Sequence, residues 1–516
     1  MNHMDSTFST CFVAGTLVPK RSLMGLFAGW LVLTLAAASS AQMPEPSGLQ
    51  AAVALENVVV EAIAKAEKSV VAIARIRKDR QEPLEPLEGE ILPERDLRAA
   101  DATRSDFVPH EFGTGVVIDA KGLILTSYHI LGDVKASDYV VWIAKTPYRA
   151  SLRAADPWLD VAVLKIDASD LKPITLGNSR ELKKGQIVIS LGNPYAIARD
   201  GEPSATWGII SNLSRQAPLP RDAVRPAEGR ETLHHYGTLI QTDAKLELGT
   251  SGGALVNLQG EMIGLTTSLA ALIGYEKAGG FAIPVDDDFR RALETLKQGR
   301  MPDYGFLGVA PSVLGMEERQ QGHRGARILD VVPATPAAKA GILPLDVVTE
   351  VDGRPVTDDA QLIRHLSAMP AGTIVGLKLL RGGTLAKPGK VMTVQVELSK
   401  KRLEGVRAPY AEITDTPWRG MKVEYATAAP MFRDQSRDLD PEGCVAVIEV
   451  ERESPAWQAG LRPGDFLSHV GKTRVTTPKQ FLDAATAQPG EVPLRLTAVP
   501  ANKSLRTVAA PADSTP

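Results

Sequence analysis

The sequence predicts a mainly β chain, in which a long block of short strands is followed by two copies of a smaller module. Between residues 112 and 285, short apolar runs are separated by Gly, Asn, Asp and Pro at near-regular intervals, the pattern of a β-sandwich or barrel. Beyond that block, the segment from Thr335 to Asp346 (TPAAKAGILPLD) recurs 119 residues on as Ser454 to Asp465 (SPAWQAGLRPGD), and the same offset maps Val351 onto Val470 and Val356 onto Val475. A unit seen twice at this spacing is a duplicated domain rather than a solenoid of 20–50-residue repeats. The length agrees, because 516 residues exceed the roughly 100–200 expected of one domain.

Taken in chain order, the first segment reads as a targeting signal. Lys20-Arg21 precedes an apolar run from Leu23 to Ala38, and Ser39-Ser40-Ala41 supplies the small-residue exit of a secretory signal ending near residue 41. A signal-anchor retained in the membrane is the alternative. From Leu49 to Lys68 apolar residues recur at helical spacing, and Ser69 to Ile76 reads as a strand. Residues 79–109 are acidic and broken by Pro83, Pro86 and Pro93, as in a long surface loop. A helix is expected from Asp286 to about Gln298, with its acidic residues at the start, where the helix dipole favours them. The two copies of the module divide within the charged stretch Lys400 to Glu404.

Composition excludes several classes of function. With 58 basic and 61 acidic residues the net charge is -3, which leaves no electrostatic footprint for nucleic acid. Aromatic residues make up 5%, too few to advertise a base-stacking platform. Only Cys11 and Cys444 occur, so neither a disulfide framework nor a cysteine zinc cluster can form. No metal and no organic cofactor is expected. Val470-Gly471-Lys472-Thr473 mimics the end of a phosphate-binding loop, but Phe466 stands where the first glycine is required. His110-Glu111 lacks a second histidine at metalloprotease spacing, and His234-His235 has no third ligand nearby and reads as a polar loop end.

The residues that carry chemistry lie in the β block. In Leu248-Gly249-Thr250-Ser251-Gly252-Gly253, glycines on both sides let the backbone bend sharply and expose a serine hydroxyl beside its own amide. The amides of Gly249 and Ser251 could converge on an oxyanion. Alone, the segment reads sooner as a glycine-rich turn that carries a serine by accident. His129 ends the apolar strand Gly122 to Leu125, and Asp160 opens another that runs to Leu164. A serine nucleophile needs a neighbouring base, and that base needs an orienting acid. An acid entering a buried strand is costly unless it is paired. His129, Asp160 and Ser251 follow the chain order of the chymotrypsin class, not that of subtilisins or α/β-hydrolases.

With these motifs the chain resembles the HtrA (DegP-like) family of exported trypsin-like serine proteases. Phe112 to Asp119 together with Thr126 and His129 is similar to the family's histidine motif, Asp156 to Lys165 (DPWLDVAVLK) to its aspartate motif, and Gln241 to Asn257 to its serine motif. Gly305-Phe306-Leu307-Gly308-Val309 resembles the carboxylate-binding loop of the family's PDZ domains. Trp418-Arg419-Gly420-Met421 occupies the comparable place in the second copy.

The resemblance implies a chymotrypsin-like double β-barrel protease domain followed by two PDZ (β-rich α+β) domains. Their expected spans are 46–300 for the protease, 303–400 for the first PDZ domain and 408–510 for the second. It implies an endopeptidase in the periplasm or cell envelope that degrades unfolded or misfolded proteins, works without cofactors and assembles as a homotrimer or a multiple of trimers. Its PDZ domains would bind peptide C-termini, the first through Phe306, Leu307, Gly308 and Val309. Two departures stand out: Thr250 replaces the family's asparagine, and the insert Arg215 to Thr232 is long and charged. The altered loop keeps a second reading open, a non-proteolytic PDZ scaffold or chaperone with an idle protease fold. For specificity, Lys245 stands six residues before Ser251, where a trypsin-type pocket needs a carboxylate, and Gly264, Leu265 and Thr266 would form the opposite wall. That set predicts cleavage after small or medium aliphatic side chains, with Glu247 as the residue that could reverse the preference.

Overall fold

The computed structural model describes residues 48–78, 111–143, 145–193, 202–216, 232–267, 280–382, 389–403, 410–413, 416–498 and 504–510. The signal segment, the acidic loop 79–109 and most of the 215–232 insert lie outside the described residues. Among those described, no helix is long and apolar enough to cross a membrane.

Helix α1 (Gly48–Ala66) leads through a single 3-10 turn into strand β1 (Val70–Arg77). Six strands then close the first barrel: β1, β2 (Glu111–Val117), β3 (Leu123–Ser127), β4 (Ser137–Ile143), β5 (Thr146–Asp156) and β6 (Val161–Ile166). Their order is β5-β4-β1-β2-β3-β6, and β5 also pairs β6. The second barrel is made of β7 (Ile187–Gly192), β8 (Ser204–Arg215), β9 (Leu239–Thr242), β10 (Ala254–Val256), β11 (Met262–Thr267) and β12 (Gly280–Pro284), closed in the order β10-β11-β12-β9-β8-β7. Closure removes the unpaired edges that short strands would otherwise expose. Most of these strands are buried nearly throughout, so they read as continuous apolar runs rather than alternating ones.

One hydrophobic cluster joins the barrels. Leu125 and Val163 of the first pack with Leu191, Ala254 and Leu265 of the second, and helix α2 (Asp287–Lys297) adds Phe289, Leu293 and Leu296. The α2 start agrees with the sequence, since the Asp286 side chain caps it by accepting from the Phe289 amide at 2.9 Å.

The duplicated modules are five-stranded antiparallel sheets, each with one main helix and a short side strand. The first runs from Val309–Val313 to Lys390–Glu397 around helix Asp359–Ser367, and the second from Met421–Tyr425 to Leu505–Val508 around helix Pro478–Thr486. In each, the recurring motif forms a one-turn helix, Pro336–Lys339 and Pro455–Gln458, with proline at the start where its missing N–H costs nothing. The stretch that mimicked a phosphate-binding loop is a tight hairpin joining Phe466–Val470 to Thr473–Arg474, with Gly471 at φ 60°. Between the modules, the two-residue strand Tyr410–Ala411 pairs with Ala155 and Ala154 of β5 and so adds to the first barrel. Cys444 is a buried free thiol, which burial pushes up to about 12, and behaves as a small hydrophobe.

Candidate active site

His129 sits on a 3-10 turn, Tyr128–Leu131, directly after β3. Asp160 closes the turn between β5 and β6, with φ 56°, a left-handed conformation that aspartate tolerates better than most residues. From there it grips the histidine turn at three points. Its Oδ1 accepts the His129 backbone N–H at 3.0 Å, its Oδ2 lies 2.8 Å from His129 Nδ1, and its carbonyl accepts the Tyr128 N–H at 3.0 Å. Asp160 is 2% exposed. A carboxylate facing Nδ1 selects the tautomer with the proton on Nδ1, which leaves Nε2 as the basic nitrogen.

Ser251 follows Thr250 on the turn before β10 and is also buried. The turn is fixed from both barrels. The Thr114 amide of β2 donates to the Ser251 carbonyl at 2.9 Å, and the Gly252 amide donates to the Thr266 carbonyl of β11 at 2.8 Å. Gly252, at φ 81°, passes so near β3 that a Cβ there would lie 2.5 Å from Thr126 Oγ1 and 3.1 Å from the Ser127 nitrogen. Only glycine fits. The serine turn therefore packs directly on the strand end that carries His129. Thr250, the departure from the family pattern, gives its hydroxyl and its amide to the Glu247 carbonyl, at 2.7 and 3.1 Å.

The structure places the expected pocket residues differently from one another. The Lys245 side chain is 74% exposed and ion-paired with Glu247, so it points away from the barrel. Leu265 belongs to the central cluster, and a Cβ on Gly264 would meet Ala282 and Ile240 inside the second barrel. Both are packing residues here, because β11 is covered on both faces. Thr266 is buried with its hydroxyl donated to the Thr250 carbonyl at 2.6 Å.

His234 corrects the reading of a polar loop end. It is fully buried, with Nε2 at 2.9 Å from the Leu159 carbonyl and Nδ1 at 2.7 Å from Thr238 Oγ1. A carbonyl only accepts, so Nε2 carries the proton and Nδ1 accepts from the threonine. Burial lowers its pKa and keeps it neutral. No group of three or more His, Cys, Asp or Glu able to hold a metal is present among the described residues.

The sequence reading gave no role to Asp156, four residues before Asp160. Its carboxyl is fully buried and accepts from the Trp158 and Leu159 amides at 3.0 and 3.3 Å and from the Tyr304 hydroxyl. Tyr304 immediately precedes Gly305-Phe306, the start of the glycine loop of the first duplicated module. Trp158 between the two aspartates is flanked by Tyr236 and Tyr304, with ring centroids at 6.0 and 6.4 Å, and by Lys401 at 4.1 Å over its ring. In the glycine loop itself, Phe306 pairs with Ser399, Leu307 is buried in the module's core, Gly308 has φ 90°, and Val309 opens the sheet-edge strand. Such an edge can accept an added peptide strand.

Comparisons with known proteins agree with this layout. Residues 113–265 match the family of trypsin-like peptidase domains, and residues 305–398 and 447–498 match PDZ domains. A probable periplasmic serine endoprotease DegP-like of Halomonas elongata is 32% identical over 396 residues, which span 74% of this chain and 76% of that one. Its counterpart in Pseudomonas savastanoi pv. phaseolicola is 30% identical over 487 residues, 92% of this chain and 95% of that one. Among solved structures, the HtrA-type protease AlgW with a tripeptide matches with a TM-score of 0.50 at 23% identity, over 68% of this chain and 99% of that chain, a likeness of fold.

Proposed function

Since the chain belongs to the DegP-like, HtrA-type family of serine endoproteases, we propose that Ser251 is its nucleophile, His129 the base and Asp160 the orienting acid. The chain is a serine endopeptidase with two PDZ domains. In this reading His129 Nε2 takes the Ser251 proton as the hydroxyl attacks the scissile carbonyl, then delivers it to the leaving amine. Asp160 holds the tautomer and stabilises the imidazolium. The Gly249 and Ser251 amides receive the oxyanion. The observation that carries the assignment is the double engagement of His129 by the buried Asp160 carboxylate, at the backbone N–H and at Nδ1.

The relatives are named serine endoproteases, so a scaffold with an idle protease fold is not favoured. They are also named periplasmic, which supports an exported, periplasmic location for this chain, with residues 1–41 as its signal. The substrates proposed are unfolded envelope proteins. The edge strand Val309–Val313 of the first PDZ domain would receive peptide C-termini at the Phe306 to Val309 loop. Assembly into trimers or multiples of trimers, and domain limits at 46–300, 303–400 and 408–510, belong to the same proposal.

Ser251→Ala, His129→Ala and Asp160→Ala should each lower the rate of casein cleavage by about 10⁴-fold or more while the circular dichroism spectrum is kept, and paired substitutions should cost little more than single ones. Wild-type turnover by Ser251→Ala would refute the assignment. For specificity, the Lys245–Glu247 pair keeps both charges engaged with each other at the surface. Cuts are then expected after Val, Ala, Leu or Thr. Mass spectrometry of the digest ends reads this directly, and a majority of cuts after Arg or Lys would point to Glu247 instead.

A further inference from the structure

Thr114 is buried on β2, beside β3, the strand that leads into the His129 turn, and every polar atom of it faces the serine turn or its supports. Its amide donates to the Ser251 carbonyl at 2.9 Å. Its carbonyl accepts from Thr126 Oγ1 at 2.7 Å. Its hydroxyl lies 2.8 Å from the Asn193 amide and 2.7 Å from the Gly249 carbonyl.

The direction of this last relay is forced. The Asn193 N–H can only donate, so the Thr114 oxygen accepts it, and the hydroxyl proton must go to the Gly249 carbonyl. One side chain of the histidine-bearing barrel thus ties the end of β7 to the residue two before the nucleophile. Gly249 has φ 94°, and a Cβ there would lie 2.6 Å from the Asn193 carbonyl, so the loop is seated against the same segment from both sides. On the next peptide, Thr266 Oγ1 holds the Thr250 carbonyl at 2.6 Å. Because C=O and N–H point opposite ways across a trans peptide, a carbonyl held by Thr266 aims the Ser251 N–H to the side away from Thr266.

We propose that Thr114 is a positioning residue for the oxyanion loop: its hydroxyl fixes the Gly249 carbonyl and its amide fixes the Ser251 carbonyl, so that the loop keeps its two donor amides in register with His129 on the same barrel. This rests on the reading of Gly249 and Ser251 as the oxyanion donors. Thr114 touches no reacting atom. Removing its hydroxyl leaves the part-buried Gly249 carbonyl without this donor and frees the loop to rotate.

The test is Thr114→Val, nearly isosteric, beside Thr114→Ser, which restores the hydroxyl. On a fluorogenic peptide cut by the wild type, Thr114→Val should lower kcat about 10- to 100-fold with KM within about threefold, since an oxyanion donor acts on the transition state. Affinity for a peptide boronic acid, which forms a tetrahedral adduct, should fall in parallel, while affinity for the corresponding product peptide stays the same. The acid limb of the pH–rate profile should not move, and Thr114→Ser should recover kcat to within about threefold. Thr114→Ala, with an unchanged melting temperature required of it, replaces the valine variant should that variant fail to fold. An unchanged kcat in a folded Val or Ala variant, or a loss confined to KM, overturns the proposal. Ser251→Ala in the same assay separates the two levels: if it stays active, the triad reading fails; if it is inactive while Thr114→Val is normal, only the role of Thr114 fails.

Discussion

The two PDZ domains shape their glycine loops alike and anchor them to different partners. Gly308 and Gly420 have φ 90° and 81°, and each stands against the side chain that opens the one-turn helix of the recurring motif, so that a Cβ would lie 2.2 Å from that of Thr335 and 2.1 Å from that of Ser454. The Gly308 carbonyl accepts from the Val332 amide and the Gly420 carbonyl from Glu451. The residue before each glycine differs. Leu307 enters the core of its domain. Arg419, at φ 48°, crosses the ring of Trp418 at 4.7 Å and donates to the carbonyls of Val508, Ala509 and Gln488. Farther upstream the contrast widens. The first loop is preceded by Tyr304, whose hydroxyl donates to Asp156 in the turn that presents Asp160. Duplication has kept the loop's backbone and reassigned its anchor: the first domain is tied to the protease, the second to its own last strand.

The sharpest way to break this contrast is Asp156→Ala. It strips an acceptor from the Tyr304 hydroxyl and from two buried amides, each costing about 1–3 kcal/mol when left unsatisfied. Urea unfolding of the protease unit should show a loss of about 3 kcal/mol or more, and casein cleavage should fall at least about tenfold because the Asp160 turn loosens. Unchanged cleavage would show that the tie is only structural.

A pH series sharpens the same point. Burial, acting against the hydrogen bonds from Tyr304 and from the Leu159 and Trp158 amides, raises the Asp156 carboxyl to about 6 from 3.8. Between those values the folded chain keeps a proton that the unfolded chain has released. This group's contribution to stability is therefore full below about pH 4 and declines as pH rises to about 6, by on the order of 3 kcal/mol. Asp156→Asn should remove that slope relative to wild type. Tyr304→Phe, which deletes a bond favouring the ionised form, should extend it to higher pH. Urea midpoints between pH 4 and 7 measure both, and parallel curves for wild type and Asp156→Asn would contradict the assignment.

The smallest effect belongs to the second domain. Arg419→Ala should cost about 1–2 kcal/mol in the unfolding of that domain, through lost hydrogen bonds and the lost stacking on Trp418. Casein turnover should stay within about twofold, as among the described residues the Arg419 side chain bonds only within its own domain. A tenfold loss of turnover would erase the distinction between the two loops.

What was legible in the sequence was local. The barrels follow from short apolar runs punctuated by turn residues, and the triad follows from three segments whose chemistry makes sense only together. Glycine reported backbone faithfully: Gly249, Gly252 and Gly308 all take positive φ where a turn or a close approach demands it. What the sequence hid was long-range pairing. Asp156 and Tyr304 lie 148 residues apart, and no spacing rule links a buried carboxyl to a tyrosine beyond the next domain boundary. The surroundings of the expected pocket wall were hidden for a related reason. Leu265 is expected from the sequence in a pocket wall, whereas β11 is covered on both faces once the second barrel closes against the first. His234 was hidden by its neighbour, since a His-His pair looks polar until one ring is found between Leu159 and Thr238.

The central claim is that Ser251 is a nucleophile activated by His129. Labelling with a fluorophosphonate probe, followed by peptide mass spectrometry, tests it most directly, because the reagent bonds covalently to a serine only when a base withdraws its proton and an oxyanion site receives the phosphoryl oxygen. A single modified residue, Ser251, is expected in the wild type, with labelling abolished in Ser251→Ala and at least about 10³-fold slower in His129→Ala. Modification of another serine, or casein cleavage that persists with Ser251 unlabelled under saturating probe, would contradict the account.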